Sequence, residues 1–191
     1  MIGRLAVSFP PGHGGLSAEQ VARLTAVFDD SRMMQGRIGP DTGEKVVTSV
    51  RSGAVQWMGA DVVAADIYSH LFTLAVVANR EMEWNFELEG CTAFLQATRY
   101  AAAGREHYSW HMDWGPGLTQ MRKVTVVAHL TDGAEYEGGA LQLAAGMVPI
   151  EATQRSGTCT VFPSFLLHRV TPVTAGTRLG AVLWALGPSF R

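Results

Sequence analysis

The chain has 191 residues, of which 47% are hydrophobic, so it is long enough for one domain with a sizeable core. Its 15 basic and 17 acidic residues are well mixed and give a net charge of −2, which disfavours a nucleic-acid partner. The apolar runs are too short to span a bilayer, and the first fifteen residues lack the apolar stretch of a secretory signal. We therefore expect a cytoplasmic protein without a membrane partner.

Two helices are predicted near the N-terminus. Residues 17–34 begin with the capping box S-x-x-Q and continue with apolar residues at helical spacing. Residues 60–80 form a second, more apolar segment, in which His70 is expected to lie at the edge of the core rather than to bind a metal. Residues 1–82 are thus predicted to be a helical support region.

Short β-type segments fill residues 83–191. These segments are rich in valine, threonine and aromatic residues, and glycine, proline, aspartate and asparagine separate them. They are WNFELEG, TAFLQATRY, YSWHMDW, KVTVVAHLT, GALQLAAG, GTCTVFPS, LLHRVTPV and RLGAVLWAL. Their spacing predicts a mainly β fold with N-terminal helices, an antiparallel sandwich or jelly roll. The two cysteines, Cys91 and Cys159, form no CxxC motif, and we expect buried free thiols.

A candidate metal site lies in the segment YSWHMDWG. His111 and Asp113 are two residues apart, so in a strand their side chains would point to the same face. Such a pair is either an ordinary polar couple or part of a metal site, and His168, in a later strand candidate, could supply a third ligand. Two histidines and one carboxylate on neighbouring strands form the facial triad of non-haem Fe(II) oxygenases. His111, Asp113 and His168 are called the triad below.

Arg178 follows His168 along the chain, in the apolar strand candidate RLGAVLWAL. An arginine inside an apolar strand is costly unless its charge is paired. A bound dicarboxylate would match the guanidinium in a bidentate manner, and a salt bridge to an internal Asp or Glu is the alternative. The segment between His168 and Arg178 is predicted to form a hairpin.

The sequence from Arg99 to Arg191 resembles the Fe(II)/2-oxoglutarate-dependent dioxygenases, in particular their prolyl 4-hydroxylase-like branch. The strings RYAAAGREHYSWHMDWG, RKVTVVAHLTDGAEYEGGALQL and GTCTVFPSFLLHRVTPVTAGTR carry the resemblance, and VRSG and NREMEWNFEL match more loosely. The resemblance implies a double-stranded β-helix, a jelly roll of cupin-like type, as the core of a single domain over residues 1–191. It also implies that the triad holds the iron and forms the catalytic centre.

The resemblance assigns further residues to a 2-oxoglutarate pocket. Arg178 would bind the distal carboxylate of 2-oxoglutarate. His129 stands where some relatives have a tyrosine that assists this arginine, and it would either donate a hydrogen bond to the same carboxylate or be a core histidine satisfied by backbone. The other pocket residues implied are Tyr100, Val127, Leu141 and Trp184, although plain core packing is an equal alternative for the tryptophan.

Substrate contacts are assigned more loosely. The candidates for direct contact are Tyr108, Trp114 and Arg122, and further candidates for the pocket mouth are Arg51, Trp57 and Arg99. Surface solvation would explain each of these arginines equally well.

The activity implied by the resemblance is hydroxylation of an unactivated C–H bond, with Fe(II), 2-oxoglutarate and O₂ as cofactors and ascorbate as reductant. The substrate would be an amino-acid-like small molecule or a proline-type peptidyl residue, and the sequence does not decide between them. The alternatives are a cupin-type metal enzyme that does not use 2-oxoglutarate and a non-catalytic β-sandwich binding or sensor module. Arg178 argues against the first alternative, and the complete triad together with Arg178 argues against the second.

Overall fold

The computed structural model describes residues 5–38 and 45–190. In this part of the chain the elements follow one another as β1 (Val7–Phe9), α1 (Ala18–Thr25), β2 (Met34–Gln35), β3 (Ala54–Gly59), α2 (Ala65–Glu81), β4 (Gly90–Cys91), β5 (Phe94–Ala101), β6 (Tyr108–His111), β7 (Arg122–His129), β8 (Tyr136–Gly138), β9 (Leu141–Leu143), β10 (Ile150–Glu151), β11 (Cys159–Pro163), β12 (His168–Val170) and β13 (Val173–Leu186). Neither helix is long and apolar enough to cross a membrane.

The strands form two antiparallel sheets. The larger sheet has the order β1-β11-β7-β13-β5-β3-β2, and the short strands β4 and β8 also pair with β13. The smaller sheet has the order β10-β9-β12-β6. This arrangement confirms the predicted mainly β fold with N-terminal helices, a double-stranded β-helix. That residues 1–191 form a single domain stays a prediction, because residues 1–4, 39–44 and 191 lie outside the described part.

The larger sheet is covered by α2 on one face. Val124, Val126 and Ala128 of β7 alternate along the strand and belong to the same buried cluster as Leu71 and Leu74 of α2. Since successive strand residues point to opposite faces, the residues between them are directed to the other face. The main helix-on-sheet core therefore leaves the second face of β7 free to build a site.

The second face of the larger sheet packs against the smaller sheet. Val127 of β7 and Phe162 of β11 form a separate buried cluster with Leu141 and Leu143 of β9 and with Leu166. This parity confirms the predicted inward direction of Val127 and Leu141. The space between the two sheets, next to this cluster, is where the candidate site lies.

The first helix is shorter than predicted. Its capping box is present, since Ser17 Oγ accepts the backbone N–H of Gln20 and Gln20 Oε1 accepts the backbone N–H of Ser17. The helix ends at Thr25 instead of residue 34. Asp29 accounts for the difference, because its carboxylate accepts hydrogen bonds from the backbone N–H and hydroxyl of Ser31 and so competes with helical hydrogen bonding.

Replacing Ser17 with alanine is expected to lower the free energy of unfolding by about 0.5–2 kcal/mol, because the substitution leaves the first turn of α1 without its side-chain cap. Urea denaturation followed by circular dichroism would measure this loss. Ser69→Ala is the matched control, since Ser69 is an exposed serine inside α2. Equal stability of the two variants would show that the capping box contributes nothing to the fold.

The second helix begins at Ala65, later than the predicted residue 60, and ends at Glu81. Its buried residues recur at helical spacing, as expected for a helix that packs on a sheet through one face. His70 lies at the boundary of the core, and its Nε2 is 2.9 Å from the carbonyl oxygen of Gly14. The prediction that His70 is a boundary histidine is confirmed.

Residues 1–82 are more than the predicted helical support, because β3 pairs with β5 along its whole length and β1 pairs with β11. The predicted strand WNFELEG is also wrong. Glu83 and Asn85 both have a φ of 56°, in the left-handed region, which interrupts an extended strand. The side-chain amide of Asn79 instead bonds both the N–H and the carbonyl of Phe86.

The predicted hairpin between His168 and Arg178 does not form. Strand β12 pairs with β6 and β9 in the smaller sheet, whereas β13 pairs with β5, β7 and β8. The chain therefore passes from one sheet to the other between these two residues. As a result, His168 and Arg178 lie on opposite walls of the same interior space.

Candidate active site

The three triad side chains converge at one end of the smaller sheet. His111 ends β6 and is the direct register partner of His168, the first residue of β12. Asp113 lies just beyond β6, so the prediction that it shares the strand is wrong, and its backbone N–H donates to the carbonyl of Ser164 over 2.9 Å. The Nε2 atoms of His111 and His168 lie 3.7 and 3.6 Å from the two Asp113 carboxylate oxygens.

Both histidines present the same ring nitrogen to this cluster. Nδ1 of His111 is 2.8 Å from the carbonyl oxygen of Ser109, and Nδ1 of His168 is 2.8 Å from that of Leu166. A carbonyl oxygen only accepts hydrogen bonds, so Nδ1 carries the proton in each ring and Nε2 keeps its lone pair. The arrangement fixes the tautomer that a metal requires, and one ligand atom from each triad residue lies within 4.8 Å of the others.

The charge states of the triad also suit a divalent cation. Burial and the neighbouring His168 lower the pKa of His111 to about 3, so its imidazole is neutral at neutral pH. Burial raises the pKa of Asp113, but His168, His111 and Arg122 together lower it to about 2. At neutral pH His111 therefore offers a neutral nitrogen donor and Asp113 offers a carboxylate, two ligand types that non-haem Fe(II) accepts.

The Thr125 hydroxyl holds the Asp113 carboxylate and is itself in contact with the Ser164 hydroxyl. Thr125 on β7 donates to Asp113 Oδ2 over 2.9 Å, and its oxygen is 3.0 Å from that of Ser164. Thr125 is completely buried. The Trp184 side chain also lowers the pKa of Asp113, although its indole N–H has no hydrogen bond of good geometry. The carboxylate is thus oriented by the larger sheet toward imidazoles on the smaller sheet.

Replacing Thr125 with valine is expected to weaken Fe(II) binding by roughly 10–100-fold, because groups that orient a metal ligand typically have effects of this size. Anaerobic calorimetric titration with Fe(II) would measure the change. Thr160→Val is the matched control, since this buried threonine on β11 contacts Ser8 and His129 instead of the triad. An unchanged affinity in Thr125→Val would show that this hydrogen bond does not support a metal ligand.

Arg178 lies across the same interior space and is only 2% exposed. Its Nε and Nη2 atoms are buried and have no hydrogen-bond partner. No Asp or Glu of the described residues lies within ion-pair distance of its guanidinium, which removes the internal salt bridge as an explanation within that part of the chain. A buried, unpaired cation is costly, so the side chain is suited to an anionic ligand.

Neutral polar groups surround Arg178. Burial and the nearby Arg178 charge lower the pKa of His129 to about 3, so His129 is neutral and its buried Nδ1 is without a partner. Burial raises the pKa of Tyr136, and its hydroxyl lies close to Arg178 without a hydrogen bond of good geometry. The Tyr100 ring centroid is 5.6 Å from the guanidinium carbon. Among the described residues, the His129 ring, the Tyr136 hydroxyl and the Arg178 guanidinium therefore have polar atoms without hydrogen-bond partners.

An inner cavity joins the triad to Arg178. The predicted pocket residues that line it are Tyr100, Val127, Leu141 and Trp184, together with the triad and Arg178. His129 does not line the cavity but lies near Arg178. Among the described residues its Nδ1 has no partner and its Nε2 is 3.4 Å from the Thr160 hydroxyl, so the alternative of a core histidine satisfied by backbone is wrong there, and the hydrogen bond to a bound carboxylate stays a prediction. The structure thus brings the metal-ligating set and an arginine without an ion-pair partner among the described residues into one cavity.

A wider outer groove of about 420 Å³ opens from this cavity. The predicted substrate residues Tyr108, Trp114 and Arg122 all line it, and so do two of the three mouth candidates, Arg51 and Trp57. The Tyr108 ring stacks on the His111 imidazole with centroids 3.4 Å apart, and the Arg122 guanidinium lies 3.8 Å above the Trp184 ring.

Arg99, the third mouth candidate, lines neither the cavity nor the groove, so that expectation is wrong. It faces the other side of β5, and its Nε is 3.8 Å from Asp30. The sequence analysis also missed Gln96 and Thr98, which line the inner cavity together with Tyr100. The three alternate along β5, so the two-residue period of a strand, counted back from Tyr100, would have identified them.

Comparison with known proteins bears on this site. Residues 95–186, which contain the triad and Arg178, match the model of the 2OG-Fe(II) oxygenase superfamily. A PKHD-type hydroxylase from Sphingopyxis alaskensis is 32% identical over 127 residues, which cover 64% of this chain and 56% of that protein. A second PKHD-type hydroxylase, from Azoarcus sp., is 34% identical over 91 residues, covering 45% of this chain and 40% of that protein. The chain thus spans about half the length of the curated relatives it matches.

Solved structures share the fold. A prolyl hydroxylase from Trichoplax adhaerens, solved with a hypoxia inducible factor peptide fragment, superposes with a TM-score of 0.76 at 18% identity, covering 96% of this chain and 84% of that one. A Pseudomonas putida prolyl-4-hydroxylase gives a TM-score of 0.72 at 21% identity, covering 95% and 92%. The family match over the triad and Arg178 shows that residues 95–186 are similar to the 2OG-Fe(II) oxygenase superfamily, and the solved structures show that the chain shares the fold of these prolyl hydroxylases.

Proposed function

We propose that the protein is an Fe(II)- and 2-oxoglutarate-dependent oxygenase that hydroxylates an unactivated C–H bond. The substrate would be an amino-acid-like small molecule or a proline-type peptidyl residue. The observation that carries this proposal is the shared cavity, in which the His-Asp-His triad faces a buried arginine that has no ion-pair partner among the described residues. The match of residues 95–186 to the 2OG-Fe(II) oxygenase superfamily and the PKHD-type hydroxylase relatives also support it.

The triad fits iron by its chemistry. His111 and His168 each direct Nε2 toward the carboxylate of Asp113, and backbone carbonyls accept the Nδ1–H of both rings. Three protein ligands on one face of an octahedral ion leave the opposite face for other ligands. The role proposed for the triad is therefore to hold Fe(II) while keeping coordination sites open to the inner cavity.

Arg178 fits the distal carboxylate of 2-oxoglutarate. Its unpartnered Nε and Nη2 atoms match a guanidinium that lacks its carboxylate, and neutral His129 and Tyr136 lie close enough to add hydrogen bonds. When both cofactors are bound, they supply the oxidising chemistry, in which O₂ converts 2-oxoglutarate to succinate and CO₂ and hydroxylates one substrate C–H bond. The chain's own residues bind, orient and shield the reactants from water.

The walls of the cavity would separate the two ligands. Val127 and Leu141 close the side next to 2-oxoglutarate, and Tyr108 and Trp184 lie where the cavity meets the outer groove. Aromatic walls beside the metal exclude water from the reacting bond. A substrate lying in the groove would approach the iron past Tyr108 and Trp184.

The two alternative functions receive less support. A cupin-type enzyme that does not use 2-oxoglutarate does not need an arginine in its metal cavity. A non-catalytic module does not need three oriented metal ligands next to that arginine. Nothing specific in the described residues favours either alternative. A cytoplasmic location is also proposed, in agreement with the free thiols of Cys91 and Cys159.

The test is an assay with Fe(II), 2-oxoglutarate, ascorbate and O₂ that measures succinate release with and without candidate substrates. We expect slow succinate release in the absence of substrate and faster release with an amino acid or proline-containing peptide that gains one oxygen atom by mass spectrometry. Omission of iron or of 2-oxoglutarate should abolish both. Succinate release that is absent under every condition would contradict the proposed function.

A further inference from the structure

Arg51 places a second buried positive charge beside the site. It precedes β3, forms a backbone bridge with Tyr108 and is 6% exposed. It lines both the inner cavity and the outer groove, so it lies where the two spaces meet. This position is separate from that of Arg178, which lines only the inner cavity.

The hydrogen-bond partners of Arg51 are neutral. Nη2 donates to Gln96 Oε1 over 2.7 Å, and Nη1 donates to the backbone carbonyl of Arg37 over 3.4 Å. Nε has no partner and lies against the backbone of Gly36, where an added Cβ would come within 2.5 Å of it. A guanidinium carries two N–H groups on each terminal nitrogen, so Nη1 and Nη2 each retain one for a ligand.

No carboxylate compensates the Arg51 charge within residues 5–38 and 45–190. None of the ion pairs of these ranges includes it, and Asp113, which belongs to the triad, is the one acidic side chain among the described residues that line the outer groove. Burial of an uncompensated charge is unfavourable. Within the described ranges Arg51 is therefore a buried cation that an incoming anion would stabilise.

The Tyr108 ring lies between the Arg51 guanidinium and the triad residue His111. Its guanidinium carbon is 4.5 Å from the Tyr108 ring centroid, and the Tyr108 ring stacks on His111 with 3.4 Å between centroids. If the anionic group of a ligand binds Arg51, the ligand atoms that lie a few bonds from that group would therefore lie near the proposed iron. Such a distance suits a small molecule whose anionic group and reacting carbon belong to the same short skeleton.

The groove around Arg51 is aromatic and basic. Trp57 and Trp184 contact each other with centroids 6.0 Å apart, and Trp114 and Val55 also line the groove. Arg122 lies over Trp184 and adds a second positive charge. These walls fit an apolar body that carries a negative group.

We propose that the substrate is a small carboxylic acid whose carboxylate binds Arg51 and whose apolar body lies against Trp57 and Trp184. This proposal rests on the proposed function and narrows its substrate class. A buried, uncompensated guanidinium favours a free carboxylate over the uncharged main chain of a peptide, because a charge-assisted hydrogen bond is roughly twice as strong as a neutral one. The phenol of Tyr108 then separates this carboxylate from the metal ligands.

The experiment compares acids with their primary amides. L-proline, L-leucine and N-acetyl-L-leucine, each paired with its amide, are titrated into the protein loaded with Fe(II) and saturating 2-oxoglutarate under anaerobic conditions, so that Arg178 is occupied. Tryptophan fluorescence reports binding, since Trp57, Trp114 and Trp184 line the groove. We expect at least one acid to bind about tenfold more tightly than its amide.

Gln96→Glu is the decisive variant. It replaces the neutral partner of Arg51 with a carboxylate of almost the same shape, which would neutralise Arg51 internally and reduce the preference for the acid to about threefold or less. Arg51→Gln should have the same effect, and Arg51→Lys should retain part of the preference. Arg80→Gln is the control for loss of an arginine, because Arg80 is exposed on α2, and it should leave the preference unchanged.

The outcomes separate this proposal from the proposed function. Equal binding of every acid and its amide to the wild-type protein would overturn it, and so would an unchanged preference in Gln96→Glu. Tighter binding of acetyl-Ala-Pro-Ala-amide than of any acid would assign the groove to uncharged peptides and would also overturn it. Succinate release without substrate depends on the triad and Arg178 and is measured in parallel on the wild-type protein. If this release is present while acids and amides bind equally, the carboxylic-acid proposal is overturned and the proposed function stands.

Discussion

Replacing Asp113 with alanine is expected to lower iron-dependent succinate release by about 100-fold or more, because groups that merely orient a metal ligand already contribute roughly 10–100-fold. Asp113 is the one anionic member of the triad, and its two oxygens face the Nε2 atoms of His111 and His168. Without it, two imidazoles and no carboxylate would have to hold a divalent cation. His111→Ala should give a loss of similar size. The rate of succinate formation at saturating 2-oxoglutarate, with and without added Fe(II), measures both.

Two controls accompany these variants. His70→Ala removes a histidine whose ring contacts the carbonyl of Gly14. His70 is not among the residues that line the inner cavity. Asp30→Ala removes an exposed carboxylate. Both controls should retain wild-type rates. A rate near that of the wild type in Asp113→Ala would remove this residue from the metal site.

Replacing Arg178 with methionine is expected to raise the KM for 2-oxoglutarate by about 30-fold or more, since removal of one partner of a buried, hydrogen-bonded charge pair costs roughly 2–5 kcal/mol. Methionine keeps the apolar volume of the side chain and removes the guanidinium. Arg178→Lys should recover part of the affinity, because it keeps the charge and loses the bidentate geometry. Initial rates of succinate formation over a range of 2-oxoglutarate concentrations give the KM of each variant.

The stability of the cofactor-free protein distinguishes a ligand-binding arginine from a structural one. Arg178 has no carboxylate partner among the described residues, so Arg178→Met should unfold at the same or a higher urea concentration than the wild type. Removal of one member of an internal buried pair would instead lower the free energy of unfolding by about 3–5 kcal/mol. A loss of that size together with an unchanged KM would identify Arg178 as part of an internal ion pair.

The candidate site could be predicted largely from the sequence, because its chemistry depends on residue types that rarely occur in apolar strands. The three triad residues lie together as expected. Arg178 is buried and has no carboxylate partner among the described residues, as expected of an arginine that binds an anionic ligand. Strand parity also placed Val127 correctly. The period of two residues decides which face a side chain takes, and that rule needs no knowledge of the pairing partner.

The parts that could not be predicted depend on contacts between distant segments. Asp113 reaches the metal site from a loop, since its backbone bonds Ser164 in another part of the chain. The same is true of Thr125, which supports that carboxylate from the larger sheet. The β-rich strings gave no indication that His168 and Arg178 lie in different sheets, because sequence patterns reveal strands but not which strands pair.

Local side-chain competition explains the remaining differences in the helices and strands. The first helix is shortened by the Asp29 carboxylate, which binds the backbone of Ser31. The strand predicted after α2 is interrupted by the left-handed conformations of Glu83 and Asn85. Strand β3 escaped prediction because all of its residues except Trp57 are buried, so it lacks the alternation of a half-buried strand.

Anaerobic calorimetry would show directly whether the triad binds Fe(II) and whether 2-oxoglutarate binds at the same site. The metal-free protein is titrated with Fe(II) and then with 2-oxoglutarate. We expect one Fe(II) to bind per chain. We also expect the affinity for 2-oxoglutarate to rise at least about tenfold once the iron is bound, because the cosubstrate would then contact both the metal and Arg178. Absence of stoichiometric Fe(II) binding, or a 2-oxoglutarate affinity that is the same with and without iron, would contradict the account.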